Sequence, residues 1–235
     1  ATKAVPPREE YTRTYSSSDA GLSALMENFA KDHPGTYGVS MIELDGKKRR
    51  AEYNGDKQFV TASTYKLLVA YSLLKRIDSG ARSWDSDQAC FNKMISLSDN
   101  ACAESFLNAI GVSTLTSEAN AIGLKNSTFM KGGGPYTTAN DQALLLGMIA
   151  TGQNFSSANQ QRLLEAMKKN VFRKGIPAGV SGTVADKVGF MNGLLHDSAI
   201  VYGSHGTYVL SIMTDGASWE AIADLAKQLD ALRAQ

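Results

Sequence analysis

The placement of strand-like segments constrains the fold of this chain more than any other feature of its sequence. Two such segments lie near the amino terminus, at 37–44 and 49–54, with the turn pair Asp45-Gly46 between them. Three more lie near the carboxyl terminus, at 183–190, 196–202 and 207–214, and the residues between the two groups carry mostly helical patterns. This order predicts an α+β fold, in which one antiparallel sheet is built from both chain ends and an all-helical subdomain is inserted between them.

Helices are predicted to flank this sheet. Ser18-Asp19 can cap a first helix, and 219–232 forms an amphipathic last helix. We divide the chain into a linker at 1–18 and one domain at 19–235, with a sheet subdomain (19–60 and 175–235) and a helical subdomain (61–174). A cleft is expected between the two subdomains.

The first 18 residues are polar and charged and contain Pro6-Pro7. We interpret them as a linker that remains after removal of a signal peptide or that follows a membrane anchor. The expected location is therefore extracellular or periplasmic, in association with the cell envelope.

Charge and hydropathy exclude several classes of partner. The 24 basic and 23 acidic residues leave no basic field for nucleic acid. The longest apolar run, at 67–74, is far shorter than the roughly 18 residues that a membrane span needs. We expect a monomer that acts on a small or neutral partner.

The pattern Ser-x-x-Lys occurs twice, at Ser63/Lys66 and at Ser72/Lys75. The second pair lies in the middle of a helix, where a serine hydroxyl bonds to its own turn, so we interpret it as structural. Ser63 lies at the first turn of the same helix, where unpaired backbone N–H groups are close and Lys66 returns to the same face. That helix is apolar nearly all round, so Lys66 is expected to be desolvated and able to act as a neutral base for a Ser63 nucleophile.

The three histidines do not favour a Ser-His-Asp triad. His33 lies in a His-Pro-Gly turn and His205 in a glycine-rich hairpin, while His196 is interpreted as structural or as lining the rim of the site.

Two further motifs follow Ser63/Lys66 in order: Ser98-Asp99-Asn100 and Lys187-Val188-Gly189. Together the three motifs resemble those of the class A β-lactamases and their penicillin-binding relatives. The similarity extends over most of the chain and includes Ala103, Thr137-Thr138, Ile176-Pro-Ala-Gly179 and Ala185-Asp-Lys-Val-Gly189.

The resemblance implies a role for each motif residue. Ser63 would attack an amide or lactam carbonyl and Lys66 would accept its proton, while Ser98 would relay a proton to the leaving nitrogen. Lys187 would attract the substrate carboxylate. The remaining substrate contacts would come from Asn100, from the backbone N–H groups of Ser63 and Phe190 as an oxyanion hole, and from Val188 and Gly189. No metal or cofactor is expected.

Two pairs are expected to be structural. Arg173 and Asp186 resemble a buried ion pair of the family, which holds the strand near the helical subdomain. Cys90 and Cys102 flank the Ser-Asp-Asn loop, and either a disulfide or two free buried thiols remains open.

The chain departs from the class A pattern in its deacylation segment. The family carries a water-activating glutamate before the Thr-Thr helix, but residues 126–136 contain no acidic residue. Glu104 and Glu118 are the nearest upstream acids, and both are interpreted as parts of solvated helix faces.

Two smaller departures concern the substrate site. Val188 replaces the Thr or Ser of the family and removes a hydroxyl that would bind the substrate carboxylate. Ser98 follows Ser63 by 35 residues, a short spacing that predicts a trimmed helical subdomain and a cleft open enough for peptidoglycan.

These observations favour a penicillin-binding D-alanyl-D-alanine peptidase that traps β-lactams as long-lived esters. A β-lactamase with different deacylation machinery and a non-catalytic binding or sensor module remain as alternatives.

Overall fold

The computed structural model describes residues 18–235, so the predicted linker lies outside the described residues except for Ser18. The strands are β1 (Thr36–Glu43), β2 (Arg50–Tyr53), β3 (Phe59–Val60), β4 (Tyr136–Thr137), β5 (Thr183–Met191), β6 (Leu194–Gly203) and β7 (Gly206–Asp215). The helices are α1 (Ala20–Asp32), α2 (Lys66–Asp78), α3 (Trp84–Ser96), α4 (Asn100–Ile110), α5 (Val112–Ala121), α6 (Ala139–Thr151), α7 (Ser157–Lys168), α8 (Ile176–Gly179) and α9 (Trp219–Arg233), and a 3-10 turn (Ala62–Tyr65) precedes α2.

Five strands form one antiparallel sheet in the order β2-β1-β7-β6-β5. The two parts of the chain meet where β1 pairs with β7, for example at Val39 opposite Ile212. The predicted α+β fold with a sheet built from both chain ends is therefore confirmed. β5 lies at one edge of the sheet as described for residues 18–235.

Alternating side chains of the sheet enter two separate apolar cores. On one face, Ile42, Ala185, Ile200 and Val209 pack with residues of α2 to α7. On the other face, β1 contributes Tyr37, Val39 and Met41 to a core with α1 and α9. The boundaries of the two predicted subdomains remain a prediction, and α6 packs directly against β1, β6 and β7.

Arg82 forms two hydrogen bonds with the carboxylate of Asp87 in the first turn of α3, which begins at Trp84. The strand β2 is shorter than the predicted 49–54 by one residue at each end. β2 ends at Tyr53 because Asn54 has a left-handed backbone, with φ of 48°.

Cys90 of α3 and Cys102 of α4 form a disulfide. Of the two alternatives that the sequence left open, the structure has the bonded one. Among the helices within residues 18–235, none is long and apolar enough to cross a membrane.

Candidate active site

Ser63 lies in the 3-10 turn that leads into α2. The preceding residue, Ala62, has a left-handed backbone with φ of 46°, a conformation that costs a non-glycine residue about 1–3 kcal/mol. Thr64 supports the turn because its buried hydroxyl donates to the Thr61 carbonyl at 2.7 Å. The turn thereby presents the half-buried Ser63 side chain at the start of a buried helix.

Lys66 is the first residue of α2, and it has no exposed surface. Its Nζ atom lies 3.1 Å from Ser63 Oγ, and it donates to the Ser98 carbonyl and to Asn100 Oδ1, both at 2.7 Å. A neutral amine has two N–H groups, which these two acceptors satisfy, so its lone pair is left for the Ser63 hydroxyl.

The electrostatic surroundings of Lys66 favour this neutral form. Burial lowers the pKa of Lys66 to about 8, and the negative charges of Asp99 and Glu104 oppose that shift. A base with a pKa near the operating pH is efficient, because a useful fraction is deprotonated and still basic. The pair can therefore generate a serine nucleophile without histidine.

Ser98 follows α3 in a loop, and it also has a left-handed backbone, with φ of 58°. Asp99 caps α4 by accepting the Cys102 N–H at 2.8 Å, and the disulfide ties Cys102 to α3. These contacts hold the Ser98 hydroxyl between two lysines: Lys66 Nζ lies 3.2 Å away and Lys187 Nζ 2.9 Å away. The hydroxyl can therefore pass a proton between the general base and a leaving group.

Lys187 lies on β5 with its side chain fully buried. Besides Ser98 Oγ, it donates to the Val188 carbonyl at 2.7 Å. Burial, reinforced by the nearby Lys66 charge, lowers the pKa of Lys187 to about 7.

Gly189 allows β5 to lie directly against the 3-10 turn that carries Ser63, which we call the catalytic turn. A β-carbon placed on Gly189 would lie 2.9 Å from the backbone nitrogen of Ser63 and 2.9 Å from the Thr61 carbonyl oxygen. Only glycine fits this approach, which brings the next residue, Phe190, beside the turn that carries Ser63.

Asn100 has its side-chain oxygen on Lys66 at 2.7 Å, so its amide nitrogen is the end left for a substrate.

His196 serves the scaffold. It is buried, the Thr214 N–H donates to its Nδ1 atom at 3.1 Å, and its Nε2–H therefore donates to the Val60 carbonyl at 2.8 Å. Burial lowers its pKa to about 4. It anchors β3, the strand just before the catalytic turn.

The second Ser-x-x-Lys pair is separated in the structure. Ser72 is buried inside α2, while Lys75 is largely exposed and reaches Glu118 at 3.3 Å. Arg76 pairs with Glu118 at 2.7 Å. The prediction that Glu118 lies on a solvated face is therefore wrong: α5 packs across α2, and this leaves only 11% of the Glu118 side chain exposed.

Arg173 and Asp186 form the expected ion pair, with 3.0 Å between Arg173 Nη1 and Asp186 Oδ1. The pair is only half buried, because Asp186 is enclosed while Arg173 lies in a surface segment with 40% of its side chain exposed. Sequence reasoning missed the neighbour Asp197, which is fully buried and accepts the Ile176 N–H at 2.9 Å. Burial and the adjacent Asp186 raise the pKa of Asp197 well above its usual range.

The segment at 126–136 places an aromatic side chain beside the catalytic helix. The Phe129 ring packs edge-on against Tyr65, with centroids 6.0 Å apart. Asp141 is the acidic residue closest in sequence to this segment; it is buried and accepts hydrogen bonds from the Asn126 N–H and the Ser127 hydroxyl. Glu104 is exposed as expected, one turn beyond Asn100 on α4.

The fold and the arrangement of these side chains are those of a β-lactamase-like serine hydrolase. The chain belongs to the Beta-lactamase enzyme family, whose model matches residues 21–89 and 86–232. No curated protein matches the sequence significantly.

Several solved structures share the fold. PBP-A is 21% identical with a TM-score of 0.85, and the match covers 92% of this chain and 97% of PBP-A. A point mutant of PBP-A, as an acyl-enzyme complex with penicillin G, is similar with a TM-score of 0.84, 21% identity and the same coverage. A β-lactamase from Sphaerobacter thermophilus is 20% identical with a TM-score of 0.80, and the match covers 91% of this chain and 96% of that one.

Proposed function

We propose that this protein is a penicillin-binding D-alanyl-D-alanine peptidase of the cell envelope, which forms an acyl-enzyme at Ser63. The observation that carries the proposal is an acylation site joined to a segment that lacks a deacylating acid. Lys66 Nζ lies 3.1 Å from Ser63 Oγ, whereas residues 126–136 contain no carboxylate.

Acylation would begin when neutral Lys66 takes the proton of Ser63. The Ser63 oxygen then bonds to the substrate carbonyl carbon, and the backbone N–H groups of Ser63 and Phe190 stabilise the oxyanion. Removing one such donor costs about 3–4 kcal/mol in comparable sites. Ser98 donates its proton to the leaving nitrogen, the C–N bond breaks, and Lys66 returns a proton to Ser98 across 3.2 Å.

Deacylation separates the two kinds of substrate. A peptide loses its terminal D-alanine, and this vacates the space through which water reaches the ester. A β-lactam keeps its opened ring attached, and no carboxylate of the 126–136 segment activates a water against the ester. Penicillin is therefore expected to remain bound. The acyl-enzyme complex of PBP-A with penicillin G, a protein of the same fold, supports the covalent step.

The test is release of D-alanine from an N-acyl-D-Ala-D-Ala peptide, compared between the wild type and Ser63→Ala. We expect D-alanine release that depends on Ser63 and stops when penicillin is added first. Rapid, repeated hydrolysis of penicillin without release of D-alanine would contradict the proposal.

A second candidate, a β-lactamase with a different base, is favoured by one observation. The negative charge of Glu104 acts on both Lys66 and Tyr65, so its carboxylate lies within electrostatic reach of the acylation site. If penicillin is turned over, Glu104→Gln distinguishes this candidate: loss of turnover with retained acylation identifies Glu104 as the water-activating base. Ser105→Ala, at the next exposed position of α4, is the matched control.

A further inference from the structure

A cavity adjoins the candidate active site along β5. It has a volume of about 240 Å³, and most of its lining side chains are apolar: Phe172, Val188, Phe190, Leu195 and Trp219. The Phe190 ring makes edge-on contacts with two of the others, with its centroid 5.4 Å from that of Phe172 and 6.3 Å from that of Trp219. An engineered apolar cavity of about 150 Å³ binds benzene, so this one accommodates an aromatic ring.

The cavity and the catalytic groups occupy opposite faces of one strand. Side chains of β5 alternate, so Lys187 and Gly189 face Ser98 and the catalytic turn while Val188 and Phe190 face the cavity. Because β5 is an edge strand, an extended substrate can pair with it, and successive substrate side chains then also alternate between the two faces. The leaving group must lie near Ser98, beside Lys187 and Val188. If the leaving-group residue lies opposite Val188, its side chain points to the same face as Val188 and enters the cavity.

The chemistry of the cavity disfavours a small polar occupant. Val188 offers methyl groups in place of a hydroxyl, and Lys187 already donates to Ser98 Oγ and the Val188 carbonyl. The rim exposes large apolar side chains, with Val171 57% and Phe190 47% accessible. An apolar patch beside a site marks a binding surface. The lining also includes two cations: Arg173, which pairs with Asp186, and the exposed Lys174.

We propose that this cavity binds a bulky apolar side chain, aromatic or branched aliphatic, on the leaving-group residue of the substrate. This inference rests on the proposed acyl-enzyme chemistry at Ser63 for its orientation. It extends the proposed substrate from D-Ala-D-Ala to D-alanyl peptides that end in a larger apolar residue, which are preferred.

The test measures binding without turnover. Ser63→Ala protein is titrated by calorimetry with N-acyl-D-Ala-D-Ala and N-acyl-D-Ala-D-Phe. We expect the D-Phe peptide to bind at least about 10-fold more tightly than the D-Ala-D-Ala peptide, because apolar pockets discriminate between side chains of different size. Equal affinities, or tighter binding of D-Ala-D-Ala, overturn the proposal, as does a lack of binding by both peptides.

Two variants of the Ser63→Ala protein locate the effect. Leu195→Phe fills the cavity, so the ratio of the affinity for the D-Phe peptide to that for the D-Ala-D-Ala peptide is expected to fall close to 1. Val171→Asp places a charge at an exposed rim position, where folding is not at risk, and is expected to reduce the ratio several-fold. If both variants fold and both keep the affinity ratio of the Ser63→Ala protein, the assignment of this cavity is refuted.

The outcome is separable from that of the proposed function. Covalent capture of penicillin by the wild type tests the Ser63 chemistry alone. Penicillin capture with equal peptide affinities overturns the cavity and leaves the acyl-enzyme. Preferential binding of the D-Phe peptide without penicillin capture supports the cavity and overturns the proposed acyl-enzyme at Ser63.

Discussion

The pH dependence of acylation follows directly from the burial of Lys66. Its pKa of about 8 leaves about 9% of the amine neutral at pH 7, against about 0.03% for an unperturbed lysine, so burial supplies roughly a 300-fold gain in available base. Between pH 7 and pH 9 the neutral fraction rises about 10-fold and then levels. The acylation rate constant should follow this curve.

The assay is the rate of covalent capture of a saturating penicillin between pH 6 and pH 10. Lys187, with a pKa of about 7, interacts with Lys66, so the profile is described by two apparent pKa values that belong to the pair. Saturating drug separates the rate constant from the loss of carboxylate attraction when Lys187 becomes neutral. Lys75→Arg, which alters the exposed lysine of the second motif, is the matched control and should leave the profile unchanged.

A rate that still rises about 10-fold per pH unit above pH 9 would refute this reasoning, because it would mean an unperturbed lysine. A flat profile would equally remove Lys66 from the proton transfer.

Three further predictions follow from the packing around the site. Burial raises the pKa of Asp197 in the folded protein, so this residue contributes most to the free energy of unfolding at low pH, where it is protonated. Between the unfolded and the folded pKa, that contribution falls by about 1.4 kcal/mol per pH unit as the pH rises. Asp197→Asn should flatten this slope in urea unfolding measured across pH. Replacing Cys90 and Cys102 with serine opens a short loop, for which about 3 kcal/mol of stability is expected to be lost, and a thermal melt with unchanged midpoint would contradict this. Gly189→Ala introduces a β-carbon 2.9 Å from the Ser63 nitrogen and should slow penicillin capture while circular dichroism stays native-like; full activity would mean that β5 does not press on the catalytic turn.

Local patterns predicted the parts of the fold that depend on local spacing. The strand segments at both chain ends carry their own alternation and turn residues, and all five are present with ends that differ from the predicted ones by at most two residues. The position of Ser63 at the first turn of its helix, against that of Ser72 in the middle, also distinguished the two Ser-x-x-Lys pairs from local sequence. The resemblance of the ordered motifs to those of the β-lactamases implied that Ser98 and Lys187 lie near Ser63, and the structure brings these side chains together.

The features that were missed depend on contacts between distant residues. Asp197 becomes a partner of Asp186 only through the register of β5 and β6, which places it opposite Val188. Glu118 becomes an ion-pair residue only because α5 crosses α2, and no helical period of its own segment indicates that. The apolar cavity likewise joins Phe172, Leu195 and Trp219, which lie far apart in the sequence.

The central claim is that Ser63 is acylated by penicillin and that no group releases the product efficiently. Intact-mass spectrometry over an hour with excess penicillin tests it directly, with Ser63→Ala as the control. We predict a persistent adduct of one drug mass that is absent from the control. Unmodified protein together with consumed drug would contradict the account and identify a deacylating β-lactamase, and intact drug without an adduct would indicate a non-catalytic binding module.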